Sequence, residues 1–229
     1  MIIAHRGIFD NKNKIPENSF IAFKKAIDKG YAIEFDVQLT KDQKLVVFHD
    51  DNVLRMTGIN SKISDMTLEE VIKLKLLDTN ELIPTFNELL DLVHGRVLLD
   101  IEIKNTKQIN LVCDLVLKEL ENYNGDFLLK SFNPFIVKTL KKKNNKYKVG
   151  LLITKRMPNL IFDFFVRTKL IYLFKHDFIV INKKLFNKKY YEKHIYKKPI
   201  YVWTISDLQE ASEYLNKYPK INCICNGIE

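Results

Sequence analysis

Apolar runs of strand length recur eight times along this chain, with helix-period segments between most of them, and no other feature narrows the fold as far. The runs lie at 1–4, 31–37, 96–103, 127–131, 147–153, 178–182, 200–204 and 221–225. Between the first two, residues 18–29 place Phe20, Phe23, Ala26 and Ile27 on one stripe, and Gly30 ends the helix. Similar stripes run through 108–123, 133–143, 158–174 and 207–217. Strands alternating with helices make parallel βα units. Eight such strands predict a closed α/β barrel of the TIM (β/α)8 type, with its active site at the C-terminal ends of the strands. One domain spanning 1–229 is expected. Only Gly227, Ile228 and Glu229 follow Asn226, so a shortened C-terminal end without an eighth outer helix is expected.

One segment breaks the alternation. After Asp36 the chain reads VQLTKDQKLVVFHDD, in which Lys41-Asp42-Gln43-Lys44 has turn chemistry between strand-like flanks. The pattern predicts a hairpin inserted after the second strand. A turn centred near residues 42 and 43 sets Asp36 opposite His49. A polar excursion with a short helix around 67–75 then runs to Pro84-Thr85, which starts a helix at 86–93. The insertion therefore spans about 38–84.

The most chemically informative residues sit at strand ends. His5 closes the run Met1-Ile2-Ile3-Ala4, and His49 closes Leu45-Val46-Val47-Phe48. Between them, Glu34 and Asp36 share one face of a strand, because side chains alternate with period 2. Two carboxylates on one face of an apolar strand need an offsetting charge. A divalent metal supplies it, and nearby histidines supply proton transfer beside it. Asp100, Glu102 and Lys104 repeat the period-2 pattern. Glu102 is read as a third metal carboxylate and Lys104 as a phosphate or leaving-group contact, against the plainer alternative of a buried Glu102–Lys104 ion pair. Three oxygen ligands suit Mg²⁺ or Ca²⁺ rather than structural zinc. In Pro16-Glu17-Asn18-Ser19, either Asn18 or Ser19 is an N-cap for the first helix. Glu17 and Asn18 are also placed to brace the His5-Arg6 loop. Trp203, the only tryptophan, ends a late strand and is either barrel core or a wall against the substrate's apolar part. His94, His176 and His194 are read as structural or exposed.

Composition narrows the partners. The net charge is +9, carried by runs such as Lys141-Lys142-Lys143 and Lys183-Lys184. Solvated helix faces are the plain reading, and attraction to anionic substrates or an anionic membrane the sharper one. No nucleic-acid motif is visible. Three cysteines without framework spacing argue against a disulfide scaffold, and the pair Cys223 and Cys225 is read as strand core. No basic n-region opens the chain and no stretch of about 18 apolar residues occurs, so a cytoplasmic location is expected.

Together these residues resemble the glycerophosphodiester phosphodiesterase family, whose pattern runs HRG, PENT, E-x-D-V-x-x-T-x-D and HD. This chain reads His5-Arg6-Gly7, Pro16-Glu17-Asn18-Ser19, Glu34-Phe35-Asp36-Val37, Thr40-Lys41-Asp42 and His49-Asp50. Later pieces also match, at Glu102-Ile103-Lys104, Ser131-Phe132-Asn133 and Trp203-Thr204. Ser19 replaces the usual threonine, and Asn226 falls where an aspartate before a proline is common. The resemblance implies a TIM barrel that hydrolyses a glycerophosphodiester to glycerol 3-phosphate and an alcohol. It implies Glu34, Asp36 and Glu102 as metal ligands, His5 and His49 as the acid/base pair, and Arg6 and Lys104 as phosphate contacts. Asp50 beside His49 would help keep that ring protonated, which favours His49 as the acid.

Two other functions fit the residues. A lysophospholipase D would cleave the same bond in a lipid, using the apolar segment 158–174 for peripheral membrane contact. A non-catalytic phosphodiester-binding barrel would have no use for a second histidine.

Overall fold

A computed structural model of the chain describes residues 1–154, 174–194 and 197–228. Among the described residues nine strands form one sheet: β1 (Ile2–His5), β2 (Ala32–Leu39), β3 (Leu45–Val47), β4 (Leu99–Ile103), β5 (Phe127–Ser131), β6 (Val149–Ile153), β7 (Phe178–Asn182), β8 (Ile200–Ile205) and β9 (Ile221–Cys225). All but β3 pair in parallel in chain order, and β9 pairs back onto β1, closing an eight-stranded barrel with helices between strands. The helices start where their caps stand. Ser19 accepts from the amide of Ala22 to begin Phe20–Asp28, Thr85 and Glu88 form a capping box for Phe86–Val93, and Asp207 caps Leu208–Lys217. The strand read from residue 96 starts later, at Leu99, because the Arg96 guanidinium turns back to the carbonyls of Leu92 and Val93.

Among the described residues three apolar clusters divide the interior. The largest joins the outward faces of the barrel strands to the helices, through Phe23, Phe35, Phe86 and Leu129. The second fills the lower lumen with Leu128, Leu152, Phe178, Val180 and Tyr201. Gly150 makes room there, since a Cβ at that position would stand 2.1 Å from the Phe178 ring. The third lies within the insertion and contains Val46, Phe48, Met56, Ile63, Val71 and Ile83.

The hairpin is tighter than the turn chemistry predicts. β2 outruns β1, and β3 takes over the edge that β1 leaves, with Val37 opposite Val47. Phe48, not His49, therefore faces Asp36 and donates its amide to the Asp36 carbonyl. His49 lies just past the ladder. Beyond it come two short helices, Leu54–Thr57 and Leu68–Val71, so the helical turn in 67–75 is shorter than expected. All three cysteines are fully buried, and Cys223 and Cys225 pack in the cluster beneath the helices. Apart from Phe174, the helix read at 158–174 lies outside the described residues. Among the described residues no helix is long and apolar enough to cross a membrane.

Candidate active site

Parallel register turns the sequence pattern into a cluster. His5 sits beside Glu34, Glu34 beside Asp100, Asp36 beside Glu102, and Glu102 beside Lys130. Period-2 alternation sends these side chains into the upper lumen. An oxygen from each of Glu34, Asp36 and Glu102 lies within 4.8 Å of the other two. All three residues are buried, and a cavity of about 190 Å³ meets them, also lined by His5, Arg6, His49 and Trp203. The donor set is oxygen-only and concentrates negative charge in an apolar barrel, so the residues fit a hard divalent cation such as Mg²⁺ or Ca²⁺.

Each histidine is held at Nδ1 and presents Nε2. His5 Nδ1 is 2.6 Å from Asn226 Oδ1. An amide oxygen can only accept, so Nδ1 donates, and in the neutral ring it is Nε2, 3.8 Å from Glu34 Oε2, that carries the lone pair. Burial lowers the His5 pKa, against the opposing pull of Glu34, which favours a neutral ring able to take a proton. His49 Nδ1 is 2.6 Å from Asp50 Oδ1, and Asp50 is held in turn by Arg55 Nε at 2.6 Å.

The loop after β1 is built for contact rather than ease. Arg6 and Asn18 have φ of 57° and 54°, left-handed values that side-chain-bearing residues adopt at a cost. Gly7 follows at φ 81°, where a Cβ would sit 2.8 Å from the Ala22 carbonyl carbon. Arg6 donates its backbone amide to Glu34 Oε2 at 3.2 Å, and its guanidinium reaches Glu17 at 2.6 Å and Asp36 at 3.7 Å. Asn18 donates to Asp36 Oδ2 at 3.1 Å, so it orients a carboxylate while Ser19 does the capping. Glu17 also accepts from Arg55 Nη2 at 2.6 Å, which ties the insertion to the β1 loop.

The charges set one another's protonation. Burial works to raise Glu17, but Arg55 and Arg6 outweigh it and hold the carboxyl down at about 2. Burial likewise opposes ionisation of Asp36, yet Lys104, His49 and Arg6 keep it well below the usual carboxylate range. Glu102 goes the other way, raised by burial although Lys104 pulls against it. Lys104 Nζ lies 2.9 Å from Glu102 and 3.3 Å from Asp36, so the ion pair weighed against a phosphate contact is present and extends to a second carboxylate. Burial pushes Asp100 up to about 6 despite Lys130 beside it.

Trp203 lies in the cavity wall with its ring edge-to-face against Phe132, centroids 5.5 Å apart. His94 ends the helix Phe86–Val93 in a left-handed conformation. His176 is buried, its Nδ1 2.6 Å from the Phe174 carbonyl. Sequence reasoning does not single out Arg55, Asn226 or Lys130 as site residues. Arg55 reaches Glu17 across 38 residues and Asn226 reaches His5 across 221, so neither of these contacts has a local signal. Lys130 does leave one, as a lone charge between Leu129 and Ser131 in a run read as a barrel strand.

Comparisons with known proteins place the chain in a family and match its fold. The model of the glycerophosphoryl diester phosphodiesterase family matches residues 5–224. A glycerophosphodiester phosphodiesterase of Caldanaerobacter subterraneus is 39% identical over 163 residues, 66% of this chain and 66% of its own length. One from Bacillus altitudinis is 40% identical over 117 residues, 46% of this chain and 45% of its own length. The chain thus spans 66% of the first of these curated relatives and under half of the second. Among solved structures, an Oleispira antarctica phosphodiesterase in complex with the product sn-glycerol-3-phosphate shares the fold with a TM-score of 0.80 at 21% identity, over 98% of this chain and 92% of that one. A glycerophosphodiester phosphodiesterase from Thermotoga maritima has a TM-score of 0.74 at 26% identity, over 98% and 93%.

Proposed function

Because this chain belongs to the glycerophosphoryl diester phosphodiesterase family, we propose that it hydrolyses glycerophosphodiesters to glycerol 3-phosphate and an alcohol, with a divalent metal, Mg²⁺ or Ca²⁺, held by Glu34, Asp36 and Glu102. The observation that carries the reading is one cavity onto which three carboxylates, two Nδ1-anchored histidines and Arg6 converge, with Lys104 paired to two of those carboxylates.

A phosphodiester is a monoanion that repels nucleophiles, and its alkoxide leaves poorly. When bound, the cation adds positive charge at the phosphate oxygens. Arg6 and Lys104 add theirs in a site largely closed to water, where each charge is worth more than in bulk solvent. His5, neutral and with Nε2 free, takes the proton of the attacking group, which is either water, giving glycerol 3-phosphate directly, or the glycerol 2-hydroxyl, giving a cyclic phosphate that water then opens. His49, with Asp50 as counter-charge on Nδ1, gives a proton to the leaving alcohol from Nε2. Arg55 keeps Asp50 from swinging away, and Glu17 keeps both arginines in place.

The test is release of glycerol 3-phosphate from glycerophosphocholine, with and without exhaustive chelation. We expect turnover that chelation abolishes and Mg²⁺ or Ca²⁺ restores. Full turnover after chelation overturns the metal assignment, and no release from any glycerophosphodiester overturns the activity.

A further inference from the structure

The mechanism above leaves one buried ion pair unused. Lys130 rises from β5 into the lumen and is only 1% exposed. Its Nζ is 2.6 Å from Asp100 Oδ2 and 3.1 Å from Glu34 Oε1. Directly below it the lumen is apolar, with Leu128, Leu152 and Tyr201. A packing role at this depth would be met by leucine or methionine, and a buried ion pair gains little stability over such a replacement. The pair's geometry points upward instead. Glu34 Oε1 is held by Lys130, while Oε2 takes the Arg6 amide at 3.2 Å and faces His5 at 3.8 Å. Both oxygens of one carboxylate are therefore fixed, each by a different strand or loop. Asp36 gets comparable bracing from Asn18 and Lys104. Asp100 in turn aims the lysine, because it sits beside Glu34 in register and one strand over from Lys130.

We propose that Lys130, aimed by Asp100, is a positioning residue that presets the Glu34 carboxylate for the metal centre, so that cation affinity depends on a group that is not itself a ligand of the cation. This rests on reading Glu34 as a metal ligand. Partners that orient ligands typically change metal affinity by on the order of 10- to 100-fold when removed.

The test is calorimetric titration of the folded protein with MgCl₂ or CaCl₂ alone, alongside thermal melting and turnover as a function of metal concentration. We expect Lys130→Met to bind the cation roughly 10- to 100-fold more weakly, with turnover recovering at saturating metal as the cation itself draws Glu34 into place. Asp100→Asn, which leaves Lys130 unaimed, should shift affinity the same way. The double variant Lys130→Met/Asp100→Asn removes one charge of each sign, so Asp100 is not left as a carboxylate without its cation, and it decides the matter if the single variant fails to fold. We expect it to stay weak, because the anchor on Glu34 is gone although the net charge is restored. Wild-type affinity in a folded Lys130→Met, or in the double variant, overturns the proposal while leaving the proposed activity intact. A wild-type protein that binds no divalent cation overturns the metal assignment and this inference with it.

Discussion

Around the lumen, β1, β2, β4 and β5 turn His5, Glu34, Asp36, Asp100, Glu102 and Lys130 inward, whereas β6 to β9 turn in Leu152, Val180, Tyr201, Trp203 and Ile224. Both sides are built from parallel strands of one sheet, with a register shift between Val202 and Ile205 on the apolar side. What differs is residue type at equivalent heights. Each half depends on the other. The charged half is tolerable because its carboxylates and cations are interleaved, so that no carboxylate in it lacks a cation within ion-pair reach. The apolar half lowers the local polarizability and keeps water from the charges, which strengthens their action on a phosphate.

The contrast breaks most completely when a ligand is taken from the charged half. Glu34→Ala or Asp36→Ala should lose cation binding and glycerol 3-phosphate release together while the barrel still melts cooperatively. A variant that keeps normal turnover and affinity removes that residue from the metal site. Next come the histidines at the rim. His5→Ala and His49→Ala should each lower turnover by on the order of 10² to 10⁴, with cation binding largely kept. Because the two act together, the double variant should lose far less than the product. A nitrophenyl phosphodiester, whose leaving group needs little protonation, should rescue His49→Ala and not His5→Ala. The reverse pattern exchanges their roles.

A smaller effect is expected from the apolar half. Trp203→Ala opens the wall opposite the carboxylates and should raise KM roughly 10-fold with kcat little changed, as loss of an apolar contact does. A fall in kcat at constant KM would place Trp203 with the charged half in function.

The smallest effect on turnover, and a distinct one on stability, concerns Glu17. Its pKa is held at about 2, below its ordinary value of 4.5, so the ionised form stabilises the fold above pH 4.5 and that contribution is lost as pH falls towards 2. The loss is at most about 3 kcal/mol. Glu17→Gln should flatten this part of the stability profile in denaturant melts at stepped pH. An unchanged slope would mean that the arginines do not hold this carboxylate in solution.

The charged half was the more legible in sequence. His5, Glu34, Asp36 and Glu102 announce themselves because charge on an apolar period-2 strand is costly and therefore informative. The barrel, too, follows from strand-length runs spaced by helical stripes. What sequence does not carry is register and reach. The hairpin is one residue tighter than its sequence predicts, because turn chemistry in Lys41-Asp42-Gln43-Lys44 allows either centre and only pairing of Val37 with Val47 selects one. The sequence leaves Asn18 between capping and bracing, and its φ of 54°, which turns the side chain to Asp36, has no signature in the residues around it. Arg55 meets Glu17 across 38 residues, and Asn226 meets His5 across 221, distances over which no local pattern can speak.

The apolar cluster inside the insertion has a kinetic consequence. Met56, Ile63 and Val71 pack mainly on one another and not on the barrel's main core. Such a segment is a candidate for sub-global opening, in which its amides exchange with solvent as a block while the barrel strands stay protected. His49 and Asp50 stand at its base, and Arg55 rides on it. Each opening would therefore carry one of the two proton-transferring rings off its station. The fraction of molecules competent at any instant would be set by how long this small core stays shut, and its amide exchange rates measured against those of β4 would report that fraction directly.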